Sequence, residues 1–326
     1  MERSDDYNLI ALFGKIKACL NGWDRRKVLE LNIMFKKYWK SIIFTALVIL
    51  ILPSAAAWLS SNETPVGDGM LRYYAFNVGQ GDSSLFILPG GETILIDAGP
   101  EDAGKKLVRE LKGLNVKKID LLVATHPHSD HIGGMAKILS NFRVGKIWDP
   151  GFIHGSPLQK NFYSTIRKKN IPFGRPKRGH SEKMGEVLIE VLAPAKLIKG
   201  TKRDANNNCI VLNITYGKTA FLMLADMERE QHSTIKPLPR ATVLKASHHG
   251  SSNGTNIGLL KEVNPYLIIL SYGRNNSYGY PHRETVRAIS ATETRRLDTK
   301  DGSVEIVSDG LKITYPAIRE VGENGG

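Results

Sequence analysis

Residues 126–131 read His-Pro-His-Ser-Asp-His, placing three imidazoles and a carboxylate within six positions. Imidazole nitrogen and carboxylate oxygen are the usual donors to Zn²⁺ and related cations. On a loop at the end of a strand, His126 and His128 can turn toward one cation. Asp130 and His131, at the start of a helix, can face a second. Water shared by two cations becomes acidic enough to act as a nucleophile near neutral pH, so the implied chemistry is hydrolysis, with Asp130 orienting the attacking water. Gly133 and Gly134 follow immediately, as suits a place where backbone passes close to other groups.

The surrounding pattern supplies the elements that such a cluster needs. Leu71–Val78, Ser84–Leu88 and Thr93–Asp97 are short apolar runs between Gly-rich turns, and read as strands. A helix is predicted over Asp102–Leu114, then a buried strand over Lys118–Thr125 that runs straight into the histidines, then a helix over His131–Asn141. Further strands are predicted at Lys146–Trp148, Val187–Leu192, Ile210–Tyr216, Thr219–Leu224, Thr242–Ala246, Tyr266–Ser271, Ser303–Val307 and Lys312–Tyr315. Further helices are predicted at Thr255–Val263 and Arg283–Ala291. Mixed strands and helices with chemistry at strand ends suggest an α/β fold of two sheets with helices outside.

The charge is unevenly spread. The whole chain of 326 residues carries +13, of which residues 1–40 contribute +4 and residues 142–203 contribute +10. A concentrated basic segment suits a polyanion such as nucleic acid or anionic lipid, and a solvated basic face is the plain alternative. Lys168, Lys169 and Arg178, with Phe162, Tyr163 and Phe173 interleaved, are the residues expected to grip backbone and bases. The two cysteines, Cys19 and Cys209, lie on opposite sides of an apolar segment, which argues against a disulfide framework and excludes a four-cysteine zinc site.

That apolar segment, residues 41–59, contains no charged residue and is just long enough to span a bilayer. Six Lys/Arg between Arg25 and Lys40 precede it and acidic residues follow, so the positive-inside rule puts residues 1–40 in the cytoplasm and the large domain outside. A cleaved signal peptide starting at Met34, with Ala55-Ala56-Ala57 at its cleavage site, fits as well. Both readings export the domain. The expected organisation is therefore a basic segment 1–40, an anchor or signal 41–59, a linker 60–70, a hydrolase domain 71–316 and a tail 317–326.

The motif THPHSDHIGG is similar to the HxHxDH motif of the metallo-β-lactamase superfamily. Within it, residues 71–316 most resemble the hydrolase domain of ComEC-type competence proteins. The resemblance rests on FNVGQGDSSLF (76–86), ILIDAG (94–99), NNNCIVL (206–212), FLMLADM (221–227), LKASHHGSSNGT (244–255) and SYGRNNSYGYPH (271–282). It implies an αββα sandwich preceded by one apolar helix, with two divalent metal ions, Zn or Mn, between the sheet edges. The implied ligands are His126 and His128 for one ion, Asp130 and His131 for the other, Asp226 bridging both, and His248 completing the second site. For Asp226 a helix N-cap is the plain alternative. His249 or His282 is expected to protonate the leaving oxygen, with His249, Ser251 and His282 contacting substrate.

The chain departs from these relatives in three places. No histidine stands before the strand leading to Asp226, where Arg203 to Asn208 leave only Asp204, Asn208 or water to complete the first site. His128 replaces a usual Asp, and Tyr280 replaces a usual His. The resemblance implies a phosphodiesterase or nuclease acting on DNA, working with a separate channel protein or independently. Hydrolysis of another exported ester, lactone or lactam, or a non-catalytic anchored binding module, are the competing readings.

Overall fold

A computed structural model of the chain describes residues 68–315. The expectations placed on residues 1–67 and 316–326, including the anchor or signal and the tail, lie outside the described residues. Among the described residues no helix is long and apolar enough to cross a membrane.

Two sheets form the frame. The first has eight strands: β1 (Leu71–Ala75), β2 (Ser84–Ile87), β3 (Thr93–Ile96), β4 (Lys118–Val123), β5 (Arg143–Trp148) and β6 (Phe173–Gly174), with β14 (Val304–Ser308) and β15 (Ile313–Thr314) added beyond β1. The second has seven: β7 (Ser181–Met184), β8 (Val187–Ala193), β9 (Val211–Tyr216), β10 (Thr219–Met223), β11 (Val243–Lys245), β12 (Leu267–Leu270) and β13 (Arg295–Asp298). Each sheet is antiparallel toward one edge and parallel toward the other, the parallel pairs being β3 to β6 and β10 to β13.

Side chains alternate across each strand, so one strand feeds two cores. Tyr73, Phe86, Ile94, Ile96, Leu121 and Val123 point between the sheets, where they meet Ile189, Leu212, Phe221, Val243 and Leu267. Their neighbours Tyr74, Leu85, Leu95 and Leu122 point outward and are covered by helices α1 (Gly104–Gly113), α3 (Met135–Asn141) and α4 (Pro157–Lys168). The outer face of the second sheet, including Leu222, Leu244 and Ile268, is covered by α5 (Arg229–Ile235), α6 (Ile257–Val263) and α7 (Arg283–Ser290). Burial on both faces explains why the central strands read as continuous apolar runs. The result is the four-layer αββα sandwich.

The helix predicted over His131–Asn141 is divided into α2 (Ser129–Ile132) and α3. The break falls at Gly133 and Gly134, which press against the loop 98–101, where any side chain would collide with backbone. Helices α4 and α5 and strands β6, β7 and β13 are further elements that the apolar pattern did not reveal. Strand β13 reads Arg-Arg-Leu-Asp and is only partly buried, so it carries no apolar signature.

Candidate metal centre

Every element that carries a site residue ends at the same edge of the sandwich. β4 delivers His126, after which the chain turns through Pro127 and His128 into α2. β10 delivers Asp226 through Ala225, whose φ is +48°. β11 delivers His248 and His249, both in left-handed backbone with φ of +49° and +56°. Such conformations are costly for non-glycine residues and persist only where packing enforces them. Gly250 completes the turn at φ +88°, and a Cβ there would lie 2.7 Å from Pro281.

Asp226 is the hub. Its Oδ2 lies 3.7 Å from His126 Nε2 and 3.5 Å from His248 Nε2. Its Oδ1 lies 3.2 Å from His131 Nε2 and 3.6 Å from His249 Nε2. His128 Nδ1 approaches His126 Nε2 at 3.0 Å, and Asp130 Oδ2 lies 3.2 Å from His249 Nε2 and 3.9 Å from His131 Nε2. Two donor clusters open onto the site, His126–His128–Asp226 and Asp130–His131–His249, joined through Asp226, and a third, fully buried grouping of Asp82, His131 and Asp226 lies among the same residues.

The donor set fits divalent cations. Ligand atoms bound tetrahedrally at about 2.0–2.1 Å stand roughly 3.3 Å apart, close to the separations found here. Asp226 Oδ1 and His131 Nε2 are both buried and make no hydrogen bond despite facing each other, an arrangement that a cation between them would explain.

Carboxylates and carbonyls fix the far sides of the rings. His131 Nδ1 donates to Asp97 Oδ2 at 2.7 Å, and Asp97 in turn accepts from the Thr125 amide and hydroxyl. His249 Nδ1 donates to the Ser271 carbonyl at 2.9 Å, with Asp82 Oδ1 at 3.5 Å. Lys245, buried beneath the site, holds Asp82 at 2.9 Å. His248 Nδ1 donates to Glu228 Oε1 at 2.9 Å. These contacts leave Nε2 of all three histidines directed inward, the arrangement that orients metal-ligating imidazoles.

The field of the site favours positive charge. Burial alone would lower the pKa of His131 and His249. Asp226 and the carboxylates behind each ring outweigh it and push His131 well up and His249 to about 10. Burial would likewise raise Asp226, but His131, His249 and His248 hold it far below the usual carboxylate range. His126, by contrast, is pushed well down by burial and by His131.

The two adjacent histidines take different places around Asp226. His249, expected to serve as proton donor and substrate contact, is buried and faces Asp130 and Asp226, which puts it in the second cluster. His248, expected there, instead turns to the other oxygen of Asp226. The left-handed turn separates the two rings to 5.8 Å and tilts them by 67°. Asp82, Asp97, Glu228 and Lys245 were missed by sequence reasoning. Asp82 and Asp97 belong to the motifs GQGD and IDAG, yet nothing local identified the histidines that they contact.

A cleft of about 430 Å³ opens onto the clusters, lined also by Gln80, His154, Arg203, Tyr278 and Tyr280. Ser251 and His282 do not line it. Ser251 is buried, and the His282 ring accepts the Ser252 amide just before α7. Asp204 and Asn208, the expected substitutes for the missing first-site histidine, are used locally. Asp204 accepts from Thr201, and Asn208 clasps Ile198.

The lysines and arginine expected to grip a polyanion do not line this cleft. Lys168 and Lys169 are exposed at the C-terminal end of α4, and Arg178 donates to the Thr234 carbonyl. Phe162, expected to meet bases, is 4% exposed and belongs to the core, because it occupies the inner face of α4. Tyr163 and Phe173 do line a surface groove of about 530 Å³ with Arg167 and Arg175. The first turn of α4 lines the metal cleft and its last turn lines this groove.

Comparison with known proteins places this arrangement. Residues 77–193 match the model of the metallo-beta-lactamase superfamily. The chain is 27% identical over 250 residues to ComE operon protein 3 of Bacillus subtilis, covering 70% of this chain and 32% of that protein. It is 27% identical over 214 residues to Recombination protein 2 of Haemophilus influenzae, covering 63% of this chain and 25% of that protein. It thus spans a third or less of the length of either relative. Among solved structures, the metallo-beta-lactamase fold protein YhfI from Bacillus subtilis superposes with a TM-score of 0.51 at 17% identity, covering 72% of this chain and 99% of that one.

Proposed function

We propose that the chain is a metal-dependent phosphodiesterase of the metallo-β-lactamase superfamily, acting on DNA outside the cytoplasm. The observation that carries the hydrolytic reading is the pair of ligand clusters joined by Asp226, whose two oxygens face different histidines. His126, His128 and Asp226 would hold one ion, and Asp130, His131, His249 and Asp226 the other. When bound, two divalent ions acidify a water and offset the negative charge that builds on the attacked centre.

The chain's own residues do the rest. Asp130, 29% exposed and fixed against His249, stands at the cleft where it can accept a proton bond from the attacking water. Arg203 lines the cleft with its Nε 3.3 Å from Glu228 Oε1, and its terminal nitrogens are suited to hold a phosphate. Tyr278, 63% exposed, stacks on Tyr280 with ring centroids 5.5 Å apart. An exposed ring of this kind suits stacking by a nucleobase. Support for DNA comes from the +10 segment, from the aromatic and arginine groove beside α4, and from the relative named Recombination protein 2. Export rests on the apolar segment 41–59 and its flanking charges.

Purified full chain supplied with Mn²⁺ or Zn²⁺ should cleave a nitrophenyl phosphodiester and single- or double-stranded DNA. Asp130→Ala and Asp226→Ala should each abolish cleavage. Turnover of nitrocefin without any diester cleavage would overturn the phosphodiesterase reading, and undiminished cleavage in either variant would overturn the site.

A further inference from the structure

We infer that His248 is the third nitrogen ligand of the ion held by His126 and His128, replacing the histidine that this chain lacks before β9. The inference rests on the two-ion reading above. Asp226 divides the four histidines around it into two pairs. Oδ1 faces His131 and His249 at 3.2 and 3.6 Å, while Oδ2 faces His126 and His248 at 3.7 and 3.5 Å. A bridging carboxylate gives one oxygen to each ion, so ligands grouped on the same oxygen share an ion. On that division His248 falls with His126, which it meets through Asp226 Oδ2, as His249 falls with Asp130 and His131.

The surroundings of the ring agree. Glu228, 5% exposed, accepts from His248 Nδ1 at 2.9 Å, which fixes the tautomer and leaves the Nε2 lone pair directed inward. Asn206, in the segment where relatives carry their histidine, lies against this ring, with Nδ2 at 3.4 and 3.5 Å from its two nitrogens. Its Oδ1 is buried and makes no hydrogen bond. The short Asn206 amide packs on the His248 ring. The Tyr280 hydroxyl also meets Nε2, at 3.0 Å, but a neutral hydroxyl is a much weaker claimant on that lone pair than a dication.

The test is metal content of the full chain, loaded with Zn²⁺, desalted and analysed by mass spectrometry. Asn tolerates the left-handed backbone at both positions, so His248→Asn and His249→Asn remove the rings without adding strain. Wild type should retain two ions and each single variant one. His248→Asn combined with His128→Asn should still retain one, because both act at one site. His248→Asn combined with His249→Asn should retain none. Adding Asn206→His to His248→Asn should restore the second ion. Circular dichroism confirms that each variant is folded. Two ions retained by folded His248→Asn would overturn the inference while leaving the proposed function intact. No ion in the wild type would overturn both.

Discussion

Asp97 accepts a hydrogen bond from His131 Nδ1 at 2.7 Å, with both side chains buried. The Thr125 amide and hydroxyl close on the same carboxylate, so Asp97 is locked before it orients the ring. Asp97→Asn keeps the shape but removes the charge that fixes the tautomer. Affinity for the second ion should fall by about 10–100-fold, the usual cost of losing such a partner. Competition with a chromophoric chelator measures it, and unchanged affinity would show that Asp97 only packs.

Lys245 and Asp82 form a buried pair at 2.9 Å, joining β11 to the loop after β1. Removing the cation leaves a carboxylate in the interior without compensation. Lys245→Met should destabilise the fold by about 3–5 kcal/mol at neutral pH, read from urea unfolding of the full chain. Replacing Asp82 by Leu at the same time should recover much of that loss, because the unpaired charge is then gone.

Asp149 gives the fold a pH dependence away from the metal centre. It follows β5, is 3% exposed, and is pushed up to about 6 by burial, against the Gly151 amide, the Tyr163 hydroxyl and Arg175. A carboxyl whose folded pKa is raised favours folding while protonated. Its contribution is therefore complete below its unfolded value near 4 and is lost as pH rises through about 6. Asp149→Asn should stabilise the protein at pH 8, by up to roughly 3 kcal/mol, and should have almost no effect at pH 4. A thermal midpoint that shifts equally at both pH values would contradict this.

Lys168 and Lys169 stand exposed beside the aromatic groove. If both contact phosphate, Lys168→Gln with Lys169→Gln weakens DNA binding equally for all sequences. The slope of log affinity against log salt should become shallower by roughly 1.4 for single strands and 1.8 for duplex. Fluorescence anisotropy between low and moderate salt reads this directly. An unchanged slope would make the segment a solvated basic face.

Fold class, most strand positions and the donor types gathered at residues 126–131 were legible in the residues alone. Donor type at HPHSDH is a property of the residues, and two-face burial writes itself as unbroken apolar runs such as Ile94–Ile96 and Leu121–Val123. Elements with little apolar signature, such as β13, stayed hidden for the same reason. Which partner each group has was set by the folding of the chain. Asp97 reaches His131 across 34 positions, Lys245 reaches Asp82 across 163, and Asp130 reaches His249 across 119. No local pattern encodes such separations, because strand order and sheet packing create them. The different placing of His248 and His249 has the same origin. Adjacent residues of one type are equivalent in sequence, and it is the left-handed turn after β11, held by packing against Pro281, that sends one ring to each oxygen of Asp226.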